Sequence, residues 1–256
     1  MSSNAVKMQW SLFLLILIGQ CFFVMCQIYQ YKFIEVKKNW KKARRYCKIH
    51  YTDLATVFDK TDMTDMTDMK DMQPSGADAW IGLNRRGNVT TWKWSDGSSS
   101  TFRPDTFDEA SAGKCVSTQS GSWSSAPCKV KKSFFCYKDN MRLFKQNKSW
   151  EEALDFCRKK HHDLVSITNQ KQQTWVQEEV RKAMAKNKVH TEFIWLGLRY
   201  TCTLDIWFWV SGEVLNYENW NSTQSPDCYS AAAMNTTDYK WVKKMDNETF
   251  NFICVE

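Results

Sequence analysis

The stretch NWKKARRYC, residues 39–47, has a counterpart in SWEEALDFC, residues 149–157. Trp40, Ala43 and Cys47 fall at i, i+3 and i+7, and Trp150, Ala153 and Cys157 repeat that spacing. Each set lays one apolar stripe along a helix that ends at a cysteine. A single stripe of this kind is common. Two of them, followed by the same succession of further signals, decide the architecture.

Six residues after each cysteine comes a short apolar segment, DLATV from Asp53 and DLVSI from Asp163. Then follow WIGL at 80–83 and WLGL at 195–198, apolar runs suited to buried strands. Fourteen residues past each leading tryptophan stand Trp94 and Trp209, in WKWSDGS and WFWVSGE. Alternating aromatics followed by a glycine predict a strand that runs into a turn. FFC at 134–136 and FIC at 252–254 close the two series. The offset grows from 110 residues at the helical cysteines (47 and 157) to 118 at the closing ones (136 and 254). Matched order with small insertions predicts tandem homologous domains, here 28–138 and 141–256. Only YKDNMR lies at their boundary, too short to let the domains separate widely. Trp40, Trp80, Trp94, Trp150, Trp195 and Trp209 are expected in the cores.

Each half resembles a C-type lectin-like domain, on the helix-to-cysteine motif, the WIGL or WLGL strand, the following tryptophan strand and the closing F-x-C or F-F-C. The chain is most similar to the secreted tandem C-type lectin-like proteins of fishes. The resemblance implies an α+β fold: per domain, two helices, a small antiparallel sheet, and a long irregular loop that carries the ligand site. It also implies an outer bridge Cys47–Cys136 and an inner bridge Cys115–Cys128 in the first domain, and an outer bridge Cys157–Cys254 in the second. An outer bridge closing roughly 90 residues is worth about 4 to 5 kcal/mol by chain entropy, and the short inner one roughly 3. Cys228 matches the first half of a second inner bridge, but no cysteine stands near residues 244–246, and Cys202 is extra. Parity suggests Cys202–Cys228; two free thiols or an intermolecular link are the alternatives.

Ten cysteines are many for 256 residues, and Cys21 and Cys26 sit apart from the rest. They lie in a segment with Lys7 before an apolar run from Trp10 to Ile18, which reads as a signal peptide over residues 1–26. The run is short for a bilayer span of about 20 residues, and no later stretch is long and apolar enough for one. A secreted chain with eight remaining cysteines suggests four disulfides. Net charge is +7, or +6 without Lys7, compatible with simple solubility or with attraction to anionic glycans. Asn88, Asn147, Asn221, Asn235 and Asn247 stand in N-x-Ser/Thr sequons and are expected glycosylation sites.

In calcium-dependent members of the resembled family, a Glu-Pro-Asn or Gln-Pro-Asp motif lies in the long loop and Trp-Asn-Asp precedes the last inner cysteine. Ca²⁺ takes six to eight oxygen ligands, several of them carboxylates. Here Arg103-Pro104-Asp105 stands at the first position and Trp123-Ser124-Ser125 at the second. Hydroxyls supply no charge, and Arg103 repels a cation; Asp108 and Glu109 leave the set incomplete. In the second half the positions read Ser225-Pro226-Asp227 and Trp241-Val242-Lys243. No metal or other cofactor is therefore expected, and any glycan or glycoprotein ligand would be held without calcium.

TDMTDMTDMKDM at 61–72 reads as a slippage product, an acidic and partly helical surface segment. QKQQTWVQEEVRKAMAKNK at 170–188 reads as a helix with Trp175, Val176 and Val180 inward and a solvated basic end. His161 and His162 are adjacent and suit an exposed position. No catalytic motif, phosphate loop or nucleic-acid module is present, so an enzyme is not expected. The function classes that remain are glycan or glycoprotein recognition, recognition of a protein, and a structural or ice-binding role, since some fish antifreeze proteins share this fold. Fold does not choose among them.

Overall fold

A computed structural model describes residues 28–67, 76–85, 90–107, 113–160, 163–186, 191–222 and 225–256. The signal segment 1–26, the sequon Asn88, Asp108, Glu109, the His161–His162 pair and the later triplets of the acidic insert lie outside these residues.

The chain builds the same unit twice. The first has β1 (Tyr29–Lys38), α1 (Trp40–His50), β2 (Asp53–Leu54), α2 (Lys60–Thr67), β3 (Ala79–Asn84), β4 (Lys93–Trp94), β5 (Cys115–Gln119), β6 (Ser122–Ala126) and β7 (Lys132–Asp139). The second has β8 (Met141–Lys148), α3 (Trp150–Lys160), β9 (Asp163–Leu164), α4 (Gln170–Ala185), β10 (Phe193–Thr201), β11 (Ile206–Trp209), β12 (Ser230–Asn235), β13 (Trp241–Met245) and β14 (Phe250–Val255). The sheets run β1-β7-β3-β5-β6 and β8-β14-β10-β12-β13, with β2 on β7, β4 on β3, β9 on β14 and β11 on β10. They are mixed rather than purely antiparallel. The closing strand lies antiparallel to the opening one, so it meets β3 or β10 in parallel, with Trp80 beside Phe134 and Trp195 beside Phe252.

Local chemistry starts the helices. The Asn39 side chain accepts from Lys42 N at 2.9 Å, and the Asn169 side chain from Gln172 N at 2.9 Å. Ser149 and Glu152 form a reciprocal capping box, each side chain accepting from the other's backbone N–H. The predicted stripes face inward: Trp40, Ala43 and Cys47 are buried, as are Trp150, Ala153 and Cys157. The indole of Trp40 donates to Ile81 O and that of Trp150 to Leu196 O, at 2.9 and 2.8 Å, so each helix is tied to the WIGL or WLGL strand. Gly82 and Gly197 are needed there: a Cβ would stand 3.1 Å from Ala55 O in one and 2.8 Å from Leu164 O in the other. All six tryptophans expected in the cores are buried.

Among the described residues four disulfides are present: Cys47–Cys136, Cys115–Cys128, Cys157–Cys254 and Cys202–Cys228. The first and third pin the stripe helices to the closing strands. The fourth spans 26 residues, and ties the β10–β11 turn to the residue that ends the second long loop.

Between β7 and β8 only Asn140 intervenes, and the two cores merge. Trp175 of α4, 3% exposed, lies against the first domain. Its indole stacks on Tyr29 with centroids 3.9 Å apart, and Phe58 and Tyr137 pack at 4.9 and 5.3 Å. Below it sits Asp62, 0% exposed, accepting from Tyr29 Oη at 2.5 Å, Phe58 N at 2.8 Å and Trp175 Nε1 at 3.4 Å. Lys171 lies 3.5 Å from the same carboxylate.

This seam corrects two expectations. The first triplets of the acidic insert are helical, as expected, but form a surface segment on one side only: Thr61, Thr64 and Asp65 are exposed, whereas Asp62 and Met66 are fully buried. A buried carboxylate is tolerated where donors surround it, and four do so here. The basic end of α4 is a solvated face only in part: Lys186 is exposed, but Arg181 and Lys182 are not free in solvent. Lys182 pairs with Asp96 at 2.6 Å, and Arg181 donates to Gly97 O at 2.7 Å, both in the first domain.

Candidate functional site

The long loops follow β4 and β11. In the first domain Ser124 and Ser125 do not project together toward the loop. They are β6 residues paired with Ser117 and Val116 of β5, and Ser125 is buried. Trp123 beside them is buried under Trp94, Phe102 and Phe107, each edge-on with centroids 5.9 to 6.1 Å away. Arg103 lies over the Trp94 ring at 5.8 Å and donates to Phe102 O. Arg85 lies over Trp92 at 4.6 Å. Pro104 O accepts from Phe107 N at 2.9 Å in a turn that leaves Asp105 exposed. Cationic groups thus cap an aromatic cluster, worth about 0.5–1 kcal/mol per cation–π contact at an exposed site.

In the second domain Lys243 of β13 reaches across to the end of the loop. Its ammonium donates to Ser225 O at 3.1 Å and lies 3.7 Å from the Asp227 carboxylate. Asp227 also accepts from Ser230 Oγ at 3.0 Å and Tyr229 N at 3.1 Å. The Ser230 hydroxyl, chiefly, with the Tyr229 amide and the Lys243 charge, holds this carboxyl below its usual range. Pro226 separates the two oxygen-bearing residues, and Val242 pairs with Ala233 inside the sheet. Trp241 is buried among Trp209, Tyr217 and Trp220. Its indole donates to Gln173 Oε1 at 2.9 Å. Among the described residues no group of three His, Cys, Asp or Glu side chains is placed to hold a metal ion.

Sequence reasoning missed Gln173 and the seam. Gln173, Val176 and Val180 fall at i, i+3 and i+7 on α4, so a polar residue in an apolar stripe was the available signal. Gln173 is fully buried, and its amide also donates to Tyr239 O at 3.2 Å. Of the described sequons, Asn147, Asn221 and Asn247 are exposed, and Asn235 is half-buried with its side chain accepting from Thr237 N.

The Lectin C-type domain model matches residues 36–138 and again 146–256. The chain therefore belongs to the C-type lectin domain family. It is 24% identical over 261 residues to the secretory phospholipase A2 receptor of Bos taurus, an alignment covering 88% of this chain and 17% of that receptor. It is 32% identical over 126 residues to snaclec A4 of Macrovipera lebetinus, covering 46% of this chain and 75% of the snaclec. Among solved structures, human lithostathine aligns at 27% identity with a TM-score of 0.40, covering 44% of this chain and 94% of that one. The chain thus spans less than a fifth of the receptor's length but most of the snaclec's. No helix among the described residues is long and apolar enough to cross a membrane.

Proposed function

We propose that this chain is a secreted, non-enzymatic recognition protein whose two lectin-like domains bind glycans or glycoproteins without calcium. The observation that carries the reading is the Lys243 ammonium set against Ser225 O and Asp227. A tethered cation there satisfies the oxygens that a divalent ion would need, and adds repulsion against one. In the first domain, paired β-strand hydroxyls and an Arg-capped aromatic cluster stand where carboxylates would be required. Neither set fits Ca²⁺. The half-buried rings of Phe102, Phe107, Tyr217 and Trp220 in the long loops are aromatic surfaces left to meet a sugar. Secretion is supported by the signal-like segment 1–26 and by four disulfides. N-linked glycans are proposed at Asn147, Asn221 and Asn247, which are exposed.

A glycan array probed with the secreted chain, in calcium and then in chelator, tests the reading. Equal glycan binding in both supports it, and binding abolished by chelator refutes it.

A second reading, recognition of a protein, is favoured by one feature. Leu204, Ile206, Tyr229 and Met245 are large apolar side chains left exposed near the Cys202–Cys228 bridge. Failure to bind any glycan would favour it.

A further inference from the structure

We propose that the seam between the two domains holds a metal-independent subsite for one neutral sugar ring. This rests on the glycan-binding reading above and assigns it a place away from the long-loop ends.

A solvent-open cleft of about 290 Å³ lies where α4 faces the segment after β4. Phe58 and residues 99–101 line it from the first domain; Thr174, Gln177, Glu178, Arg181 and Tyr239 line it from the second. Small-molecule sites favour domain junctions and run from roughly 300 Å³ upward, so this cleft suits a single ring rather than a long chain. It exists only because the repeats dock, so neither domain alone could form it.

The lining specifies the ligand's charge. Glu178, 4% exposed, accepts from Arg181 Nε at 2.9 Å and Nη2 at 2.6 Å, and from Ser99 Oγ at 2.8 Å and N at 3.2 Å. Among the described residues these are the lining's two charged side chains, and they cancel. A free anion or cation would find no net opposite charge, whereas a neutral polyol would meet none to desolvate.

The remaining lining fits a pyranose. Such a ring has an apolar C–H face and a rim of hydroxyls, each able to donate and accept. Phe58 and Tyr239 are half-buried rings at the cleft. The side-chain amide of Gln177 and the hydroxyls of Thr101 and Tyr239 make no hydrogen bond with any described residue, so both donors and acceptors are open to a ligand. Tyr239 is held in place beforehand. Its φ is 60°, and its carbonyl accepts from Asn219 Nδ2 at 2.9 Å and Gln173 Nε2 at 3.2 Å. A positioned ring loses less freedom on binding.

The test is calorimetric titration of the full secreted chain, in chelator, with the methyl glycosides of mannose, galactose, N-acetylglucosamine and fucose, and with N-acetylneuraminic acid as the charged probe. The expected result is millimolar binding of at least one neutral glycoside. That affinity should fall at least tenfold in Thr101→Arg, which fills the cleft from an exposed position, and in Gln177→Ala. Unchanged affinity in both variants overturns the subsite while leaving metal-free glycan binding intact at another surface. Binding of N-acetylneuraminic acid alone overturns the neutral-ligand assignment. If neither these probes nor any arrayed glycan binds the parent chain, the glycan reading falls and the subsite falls with it.

Discussion

The indole of Trp175 lies nearly parallel to the ring of Tyr29, 146 positions earlier in the chain, with centroids 3.9 Å apart and planes 17° from coplanar. One residue belongs to the second helix of the second domain and the other to the opening strand of the first. The contact is expected to make the tandem repeat unfold as one cooperative body. Trp175→Ala is therefore expected to cost about 3–5 kcal/mol, the range for removing a buried large aromatic. It should also split a single calorimetric unfolding transition into two. One undivided transition in the variant would show that the Trp175 contact is not what couples the domains.

Asp62 and Asp65 stand in neighbouring copies of the same triplet, yet their environments are opposite. Asp62 is fully buried beneath Trp175, whereas Asp65 pairs with Lys171 at the surface. Asp62→Ala should destabilise by about 3 kcal/mol, since it leaves the buried donors of Tyr29, Phe58 and Trp175 unpaired while Lys171 keeps Asp65. Asp65→Ala should cost about 0–1 kcal/mol. Denaturant unfolding of the two variants checks this, and equal effects would contradict the buried role of the first triplet.

The repeat was legible in the sequence because its signals are local. Helical spacing at Trp40, Ala43 and Cys47 and the apolar WIGL run each depend on nearby residues, and their recurrence supplied the topology. The lysine at position 243 was legible as an obstacle to a divalent ion, although its reach to Ser225 O was not. The seam was illegible for a different reason. Asp62 meets Trp175 across 113 positions, and no local periodicity distinguishes it from Asp65. The basic residues Arg181 and Lys182 looked solvated because their acceptors, Gly97 O and Asp96, belong to the other domain.

Burial at the seam, with the Glu179 carboxylate alongside, pushes the Asp139 carboxyl up from its usual 3.8 to about 8. A carboxyl raised in the folded state binds a proton there that the unfolded chain releases. Its contribution to stability is thus full below about pH 4 and lost as pH rises through 8. Asp139→Asn keeps an oxygen for Met141 N and cannot ionise. Its melting temperature, relative to the parent, is expected to rise between pH 5 and pH 9. A flat difference across that range would mean that Asp139 is not protonated in the folded chain.

The Cys202–Cys228 bridge closes 26 residues, and by chain entropy should contribute about 3.5 kcal/mol. Denatured but unreduced secreted protein should accordingly react with no thiol reagent. Two reactive thiols per chain would leave these cysteines unpaired.

The central claim is that recognition by this chain needs no divalent ion, because an ammonium and an arginine-capped aromatic cluster stand where calcium ligands would have to be. The most direct measurement is calorimetric titration of Ca²⁺ into the purified secreted protein. Extracellular calcium sites work at a Kd of about 10⁻⁴ to 10⁻³ M, and the account predicts no saturable heat across that range. Stoichiometric uptake of one ion per domain would contradict it.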